Sequence, residues 1–210
     1  MANRKGGGWM PSEEYLRRVT VGGPAPLNGP VTLVDYDPAW PEQFARQAGR
    51  IRAALGSRAL AVEHVGSTAV PGLCAKPVLD ILLLVADPAR EAAYLPDLER
   101  AGYPLRIREP DWFGHRMCKG ADPAVNLHIF APGCPEAARM VAFRDRLRAC
   151  PADRNRYARA KRALAARRWD YLQGYADAKS QVVAEILAAV SRAAPPAPGA
   201  ALPGTPGSGG

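Results

Sequence analysis

At 210 residues, 48% of them hydrophobic and 23% charged, the chain can bury one sizeable core, which excludes a wholly disordered polypeptide and leaves no room for a second large domain. The formal net charge of +8 is concentrated between Arg139 and Arg168, where eleven Arg or Lys residues face two acids, and such a field attracts anions. Cys74, Cys118, Cys134 and Cys150 form no CxxC pair and the polar start carries no apolar run, which argues against a zinc ribbon, a disulfide framework, a signal peptide or a membrane span and for a reduced, cytoplasmic protein.

Residues 1–10 and 193–210 are poor in large apolar side chains, so both ends are expected to be disordered around a single domain over 11–192. Val31 to Tyr36 reads as a strand. Asp37-Pro38 then starts an amphipathic helix to about Leu55, with Trp40, Phe44, Ile51 and Leu55 as core candidates. Two apolar strands follow, Ala59 to Val65 and Val78 to Val85, bracketing a Gly-Ser loop. A helix from Pro88 to Ala101 stops at Gly102, and Tyr103 to Arg108 reads as a strand. Strands over Trp112 to Lys119 and Val125 to Phe130 flank a hairpin at Gly120-Ala121-Asp122-Pro123. Helices over Pro135 to Ala149, Asp153 to Arg168 and Asp170 to Ser191 complete an α/β sheet core at 31–130 with a helical region at 135–192. Trp112 and Trp169 are assigned to the core with Trp40.

The block from Glu63 to Leu82 carries the chemistry. Backbone N–H groups freed at Gly66-Ser67 can cradle an anion, Ser67 and Thr68 add hydroxyl donors, and Lys76 adds a point charge. The bland alternative is a Gly-Pro loop closed by an ST-turn. Asp80 is a lone carboxylate in an apolar strand, and burial without a partner is costly, so it needs a metal, a cation such as Lys76 or a hydroxyl. Mg²⁺ on Asp80, with Glu63 as a second ligand, is the cofactor expected. The three histidines, His64, His115 and His128, all fall on predicted strands. They are satisfied core residues unless they converge, in which case a metal site or a proton shuttle results. His128 is preferred as acid, base or phosphate donor, with His64 and His115 as substrate contacts and Arg116 as an anion clamp. Arg144 either reaches the cleft or pairs with a structural acid. Tyr157 with Lys161, and Tyr175 with Lys179, repeat an i, i+4 spacing that fits either site lining or helix packing. Cys74 is read as a small loop residue.

Six blocks taken together resemble the GrpB-like family: Glu14 to Gly22, Tyr36 to Pro41, His64 to Asp80, His115-Arg116, Asn126 to Phe130, and Phe143 to Arg148. The resemblance implies an actinobacterial-type member with a nucleotidyltransferase-like mixed β-sheet, flanking helices and a C-terminal helical region. It also implies that Gly66-Ser67 and Asp80 correspond to the superfamily's phosphate turn and first metal acid. The chain departs from that pattern at Leu82, where a second acid is usual, and at the 126–130 strand, which offers His128 and no acid. The function expected is a nucleotidyltransferase-like enzyme acting on a nucleotide or other phosphorylated small molecule. The alternatives are a non-catalytic nucleotide- or coenzyme A-binding module and a metal-independent condensation or cyclisation enzyme. The basic helices lack an RNA-binding signature or aromatic platform, so nucleic acid is not the partner expected, nor is a membrane.

Overall fold

The structure, a computed structural model, describes residues 12–24, 30–169 and 171–193. Five strands, β1 (Ala61–Val65), β2 (Leu79–Leu84), β3 (Leu105–Glu109), β4 (His115–Ala121) and β5 (Ala124–Phe130), form one mixed sheet in the order β1-β2-β5-β4-β3. The central pair, β2 and β5, is parallel, and the other neighbours are antiparallel. Alternation sends Val62, Ile81, Leu83, Leu127 and Ile129 to one face, where α2 (Trp40–Leu55) and α3 (Leu95–Arg100) cover them with Trp40, Ile51, Leu55 and Leu98. Each such aliphatic side chain contributes about 1.5–3 kcal/mol by leaving water.

The opposite face begins the same way and then changes. Val65, Leu82 and Phe130 pack under α4 (Pro135–Ala149), but Asp80, Asn126 and His128 share that face. Helices α5 (Pro151–Ala165), α6 (Leu172–Ala178) and α7 (Ser180–Ala193) follow α4. Helices α5 and α7 join α4 through Leu147, Tyr157, Ala158 and Ile186, which close over Val70, Leu73 and Cys74 of the loop between β1 and β2, while Tyr175 of α6 packs with Val31 and Ala165. The short α1 (Glu13–Val19) leads to a bridge between Thr20 and Ile107 that ties it to β3.

The expected mixed sheet with flanking helices and a helical C-terminal region is present, and several boundaries differ. Val31 to Tyr36 makes only one bridge, Val34 to Ala75, because Pro77 has no N–H with which to extend a ladder. The helix expected from Pro88 is a 3₁₀ turn at Glu91–Ala93 and then α3, which places Pro96 in the first helical turn, where its missing N–H costs nothing. The helix expected over 170–191 is broken at Lys179, with no Gly or Pro to mark it. Helix α5 begins at Pro151 and ends at Ala165, and β4 begins at His115 because Trp112 to Gly114 form a turn. Trp40, Ile51 and Leu55 are buried as expected, whereas Phe44, Trp112 and Trp169 are half-buried. The ends expected to be disordered, 1–10 and 193–210, lie outside the described residues apart from Ala193.

Candidate active site

Strand β1 ends at Val65, directly opposite Asp80 in the register of the sheet. Gly66 follows with φ 70° and ψ −166°, a conformation essentially reserved for glycine. A Cβ at that position would lie 2.3 Å from Asp80 Oδ2 and 2.8 Å from Asp80 Cβ. The Gly-Ser turn therefore rests on the carboxylate itself, and glycine is needed for close approach as well as for the turn. Asp80 Oδ1 accepts a 2.9 Å hydrogen bond from Asn126 Nδ2 and lies 3.8 Å from His128 Nε2. Burial by itself would raise the Asp80 pKa. His128 in its protonated form, the Asn126 bond and the charge of Lys179 hold it below the usual carboxylate range.

A cavity of about 490 Å³ opens onto this acid, within the range of small-molecule sites. Lys76, Lys119, Lys161 and Lys179 line it, with an apolar wall that includes Met117, Met140, Phe143 and Val183. Lys161, only 2% exposed, donates to the Cys74 carbonyl and lies 5.5 Å from the Tyr157 ring centre. Lys179 sits 4.4 Å over the ring of Tyr175. Burial, reinforced by Lys179, pushes Lys161 down to about 7, and burial pushes Lys179 down to about 8 against the pull of Asp80. Lys76 is lowered by burial as well. The break between α6 and α7 falls at the residue that brings the fourth ammonium to the cavity. Among the described residues the buried Tyr175 hydroxyl has no hydrogen-bond partner, at a cost of about 1–3 kcal/mol that an occupant relieves.

The expected magnesium does not suit these residues. Glu63 shares the Asp80 face but stands two positions along the edge strand, opposite Leu82, and its carboxylate accepts from Arg144 at 2.9 Å. Leu82, at the position of the missing acid, is packed with Val65, Phe130 and Ala137. The other carboxylate on the cavity wall, Glu136, is held by both nitrogens of an Arg139 fork at 2.6 and 2.7 Å. Among the described residues no three His, Cys, Asp or Glu side chains form a ligand set. One carboxylate facing four ammonium groups is a poor host for a divalent cation and a good one for an anion.

The remaining candidates separate cleanly. Gly66, Ser67, Thr68, Lys76, Asp80, His128, Tyr157 and Lys161 all line the cavity. Burial raises the Tyr157 phenol against a smaller lowering influence of Ser67. Thr68 is also committed to His64, whose Nε2 lies 3.0 Å from its hydroxyl. His64 itself is turned to the α2 side of the sheet, stacked 4.7 Å from Phe44, and burial with the Arg148 charge pushes it down to about 4. Arg116 does not clamp anions here. It is buried on the far face, bonded to Glu91 at 2.9 Å and to the Gly114 carbonyl at 2.9 Å. Arg144 is a structural staple, donating to Glu63, to Asp145 and to the His64 carbonyl beside a separate groove. His115 stands behind His128, its Nε2 3.1 Å from His128 Nδ1.

Three members of the site escaped the sequence reading, among them Lys119, which was visible only as the end of an expected strand. Glu109 lies 2.7 Å from His115 Nδ1, but the strand expected to stop at Arg108 ended one residue short of it. Asn126 was visible only as part of a strand, and its amide becomes chemical only through the parallel pairing that sets it opposite Asp80.

A family model described as GrpB protein matches residues 30–189. A UPF0157 protein of Halalkalibacterium halodurans is 58% identical over 176 residues, covering 84% of this chain and 90% of its own length. The crystal structure of conserved protein GrpB from Enterococcus faecalis is similar with a TM-score of 0.66 at 32% identity, over 76% of this chain and 99% of that one. A dephospho-CoA kinase of Mycolicibacterium paratuberculosis is 36% identical over 160 residues, 64% of this chain but 39% of the kinase.

Proposed function

The chain belongs to the GrpB family, and from that membership and the chemistry of its cavity we propose a nucleotidyltransferase-like enzyme that acts on a nucleotide or another phosphorylated small molecule. The observation that carries the reading is the lone Asp80 carboxylate, pressed against the Gly66-Ser67 turn and facing four lysines in one cavity. Lys76, Lys119, Lys161 and Lys179 neutralise phosphate oxygens, the role a metal fills in related chemistry, and Ser67 and the turn backbone position them. Asp80 and His128 take the proton from the attacking hydroxyl or amine of the acceptor as its lone pair closes on phosphorus and the P–O bond to the departing phosphate or pyrophosphate breaks. The buried Tyr175 hydroxyl, without a hydrogen-bond partner among the described residues, supports an occupant with polar groups deep in the cavity.

A thermal-shift screen of nucleoside triphosphates, monophosphates and coenzyme A compounds, with and without Mg²⁺, tests this on the wild type and on Asp80→Asn. A triphosphate is expected to raise the melting temperature without Mg²⁺, and Asp80→Asn is expected to keep that shift and lose turnover. Absence of a shift with every phosphorylated compound would overturn the reading. The similarity to part of a dephospho-CoA kinase favours one second reading, a non-catalytic module for a coenzyme A-like ligand. A shift with dephospho-coenzyme A alone and no turnover with any acceptor would select it.

A further inference from the structure

Resting on the reading of Asp80 and His128 as the proton-moving pair, we infer that Glu109 is a positioning residue of this site. It acts through His115 to make His128 present an unprotonated Nε2 towards Asp80. Glu109 closes β3 directly opposite His115 of β4, and both side chains are buried, at 7% and 5% exposure. Glu109 Oε2 lies 2.7 Å from His115 Nδ1, and Tyr15 of α1 donates its hydroxyl to Oε1. A carboxylate only accepts, so in the neutral ring the His115 proton sits on Nδ1. Its Nε2 then carries a lone pair and accepts from His128 Nδ1–H at 3.1 Å. That leaves the lone pair of His128 on Nε2, 3.8 Å from Asp80 Oδ1.

Asp80 competes for the opposite arrangement, because it would accept from an Nε2–H of the same ring. Geometry decides between the two carboxylates. Glu109 is at full hydrogen-bond distance and Asp80 is beyond it. The rings are also held in place: His115 stacks 4.7 Å from Phe130 and 5.3 Å from His128, with the edge of Trp112 at 5.2 Å. In the proposed transfer, an N–H bond forms on His128 Nε2 as the acceptor's O–H or N–H bond breaks, the freed electron pair attacks phosphorus, and the P–O bond to the departing phosphate or pyrophosphate breaks with its electrons left on the leaving oxygen beside the cavity lysines. The new imidazolium then lies between Asp80 on one side and Glu109, through His115, on the other.

The test is the ring ¹⁵N spectrum of histidine-labelled protein at alkaline pH, where long-range ¹H–¹⁵N correlations separate the two neutral tautomers. The wild type is expected to show His128 chiefly as the Nδ1–H form. In Glu109→Gln, whose neutral amide can turn its N–H towards His115 Nδ1 and no longer fixes the proton there by charge, it is expected to convert to the Nε2–H form, because Asp80 then prevails. Glu109→Asp and Tyr15→Phe, which keep a carboxylate at that position, are expected to preserve the wild-type tautomer. An Nε2–H tautomer in the wild type, or an unchanged His128 in a folded Glu109→Gln protein, would overturn the proposal. The wild-type spectrum is decisive even if Glu109→Gln does not fold. It needs neither ligand nor turnover, so its failure is distinct from a failure of phosphate binding in the thermal-shift screen.

Discussion

The cations on the two sides of the Ser67–Val70 turn are treated in opposite ways. On the α4 side the arginines are neutralised: Arg144 is gripped by Glu63 and Asp145, Arg146 by Asp153 at 2.6 Å, and Arg148 donates to the Ala69 carbonyl. On the cavity side Lys76, Lys119, Lys161 and Lys179 face Asp80, which also serves Asn126 and His128. Paired guanidiniums hold a fold in place, and ammoniums in excess of the carboxylate they face, from the buried Lys161 to the exposed Lys119, attract negative charge. The net charge of +8 therefore divides into a structural share and a functional one, a division that composition alone does not reveal.

The strongest way to break this comparison is at the wall between the two regions. Gly66→Ala sets a Cβ against both the carboxylate and the Cβ of Asp80 in a backbone conformation that alanine avoids, and Asp80 is anchored in a central strand. A loss of about 3 kcal/mol or more is expected from strain and displacement together, read as a lower denaturation midpoint, with phosphate-ligand binding lost as well. A variant as stable as the wild type would show that the turn does not press on Asp80. Arg144→Ala comes next, at about 1.5–3 kcal/mol, because it removes charged hydrogen bonds to Glu63, Asp145 and the His64 carbonyl. Denaturant melts check the loss. Ligand affinity at the remaining folded fraction should stay within twofold of wild type, whereas a larger loss of affinity would move Arg144 back into the site.

How the sequence displays these two shares follows from what one chain position can reveal. The Gly66-Ser67 turn and Asp80 were legible because both break an apolar pattern that local rules explain well. So were the strands over 61–65, 79–84 and 124–130 and the helix over 135–149, where period and punctuation agree. The pairing of Arg144 with Glu63, 81 residues away, was not legible, because an arginine at i, i+4 looks the same whether it faces a ligand or a carboxylate. The orientation of Arg116 was lost for a related reason: with β4 begun three residues early, nothing fixed which face each of its side chains takes. Glu109 fell one residue outside a strand, at the boundary where sequence patterns are weakest.

Lys179→Met sharpens the comparison from the cavity side. Removing a destabilised ammonium from above the Tyr175 ring should leave the melting temperature unchanged or raise it, since among the described residues Lys179 forms no ion pair within salt-bridge distance and burial outweighs the pull of Asp80 and Asp177. Affinity for the triphosphate found in the screen should fall by roughly tenfold to thirtyfold, about 1.4–2 kcal/mol for a charged contact, as read by calorimetric titration. A lysine that behaves like Arg144, with stability lost and affinity kept, would erase the distinction between the two regions.

The smallest expected effect is a pH dependence of the unliganded protein, and its sign is specific to uncompensated lysines. Burial sets Lys161 at about 7 and Lys179 at about 8 in the folded protein, below their ordinary value, so above these points the unfolded chain binds more protons than the folded one. Stability should therefore rise with pH from about 7, and the penalty should be complete below that point, a gain on the order of 1 kcal/mol up to about pH 8.5. Above that, Cys118, whose thiol burial pushes up to about 12, works in the other direction, because it ionises only in the unfolded chain. Melting temperatures across this window in wild type and Lys161→Met give the answer. The rise should be present in the first and reduced in the second, and a phosphorylated ligand should flatten it by restoring the ammonium charge. A flat wild-type profile, or an equal slope in Lys161→Met, would mean that the buried lysines are already neutralised within the fold, leaving the cavity no excess charge with which to attract an anion.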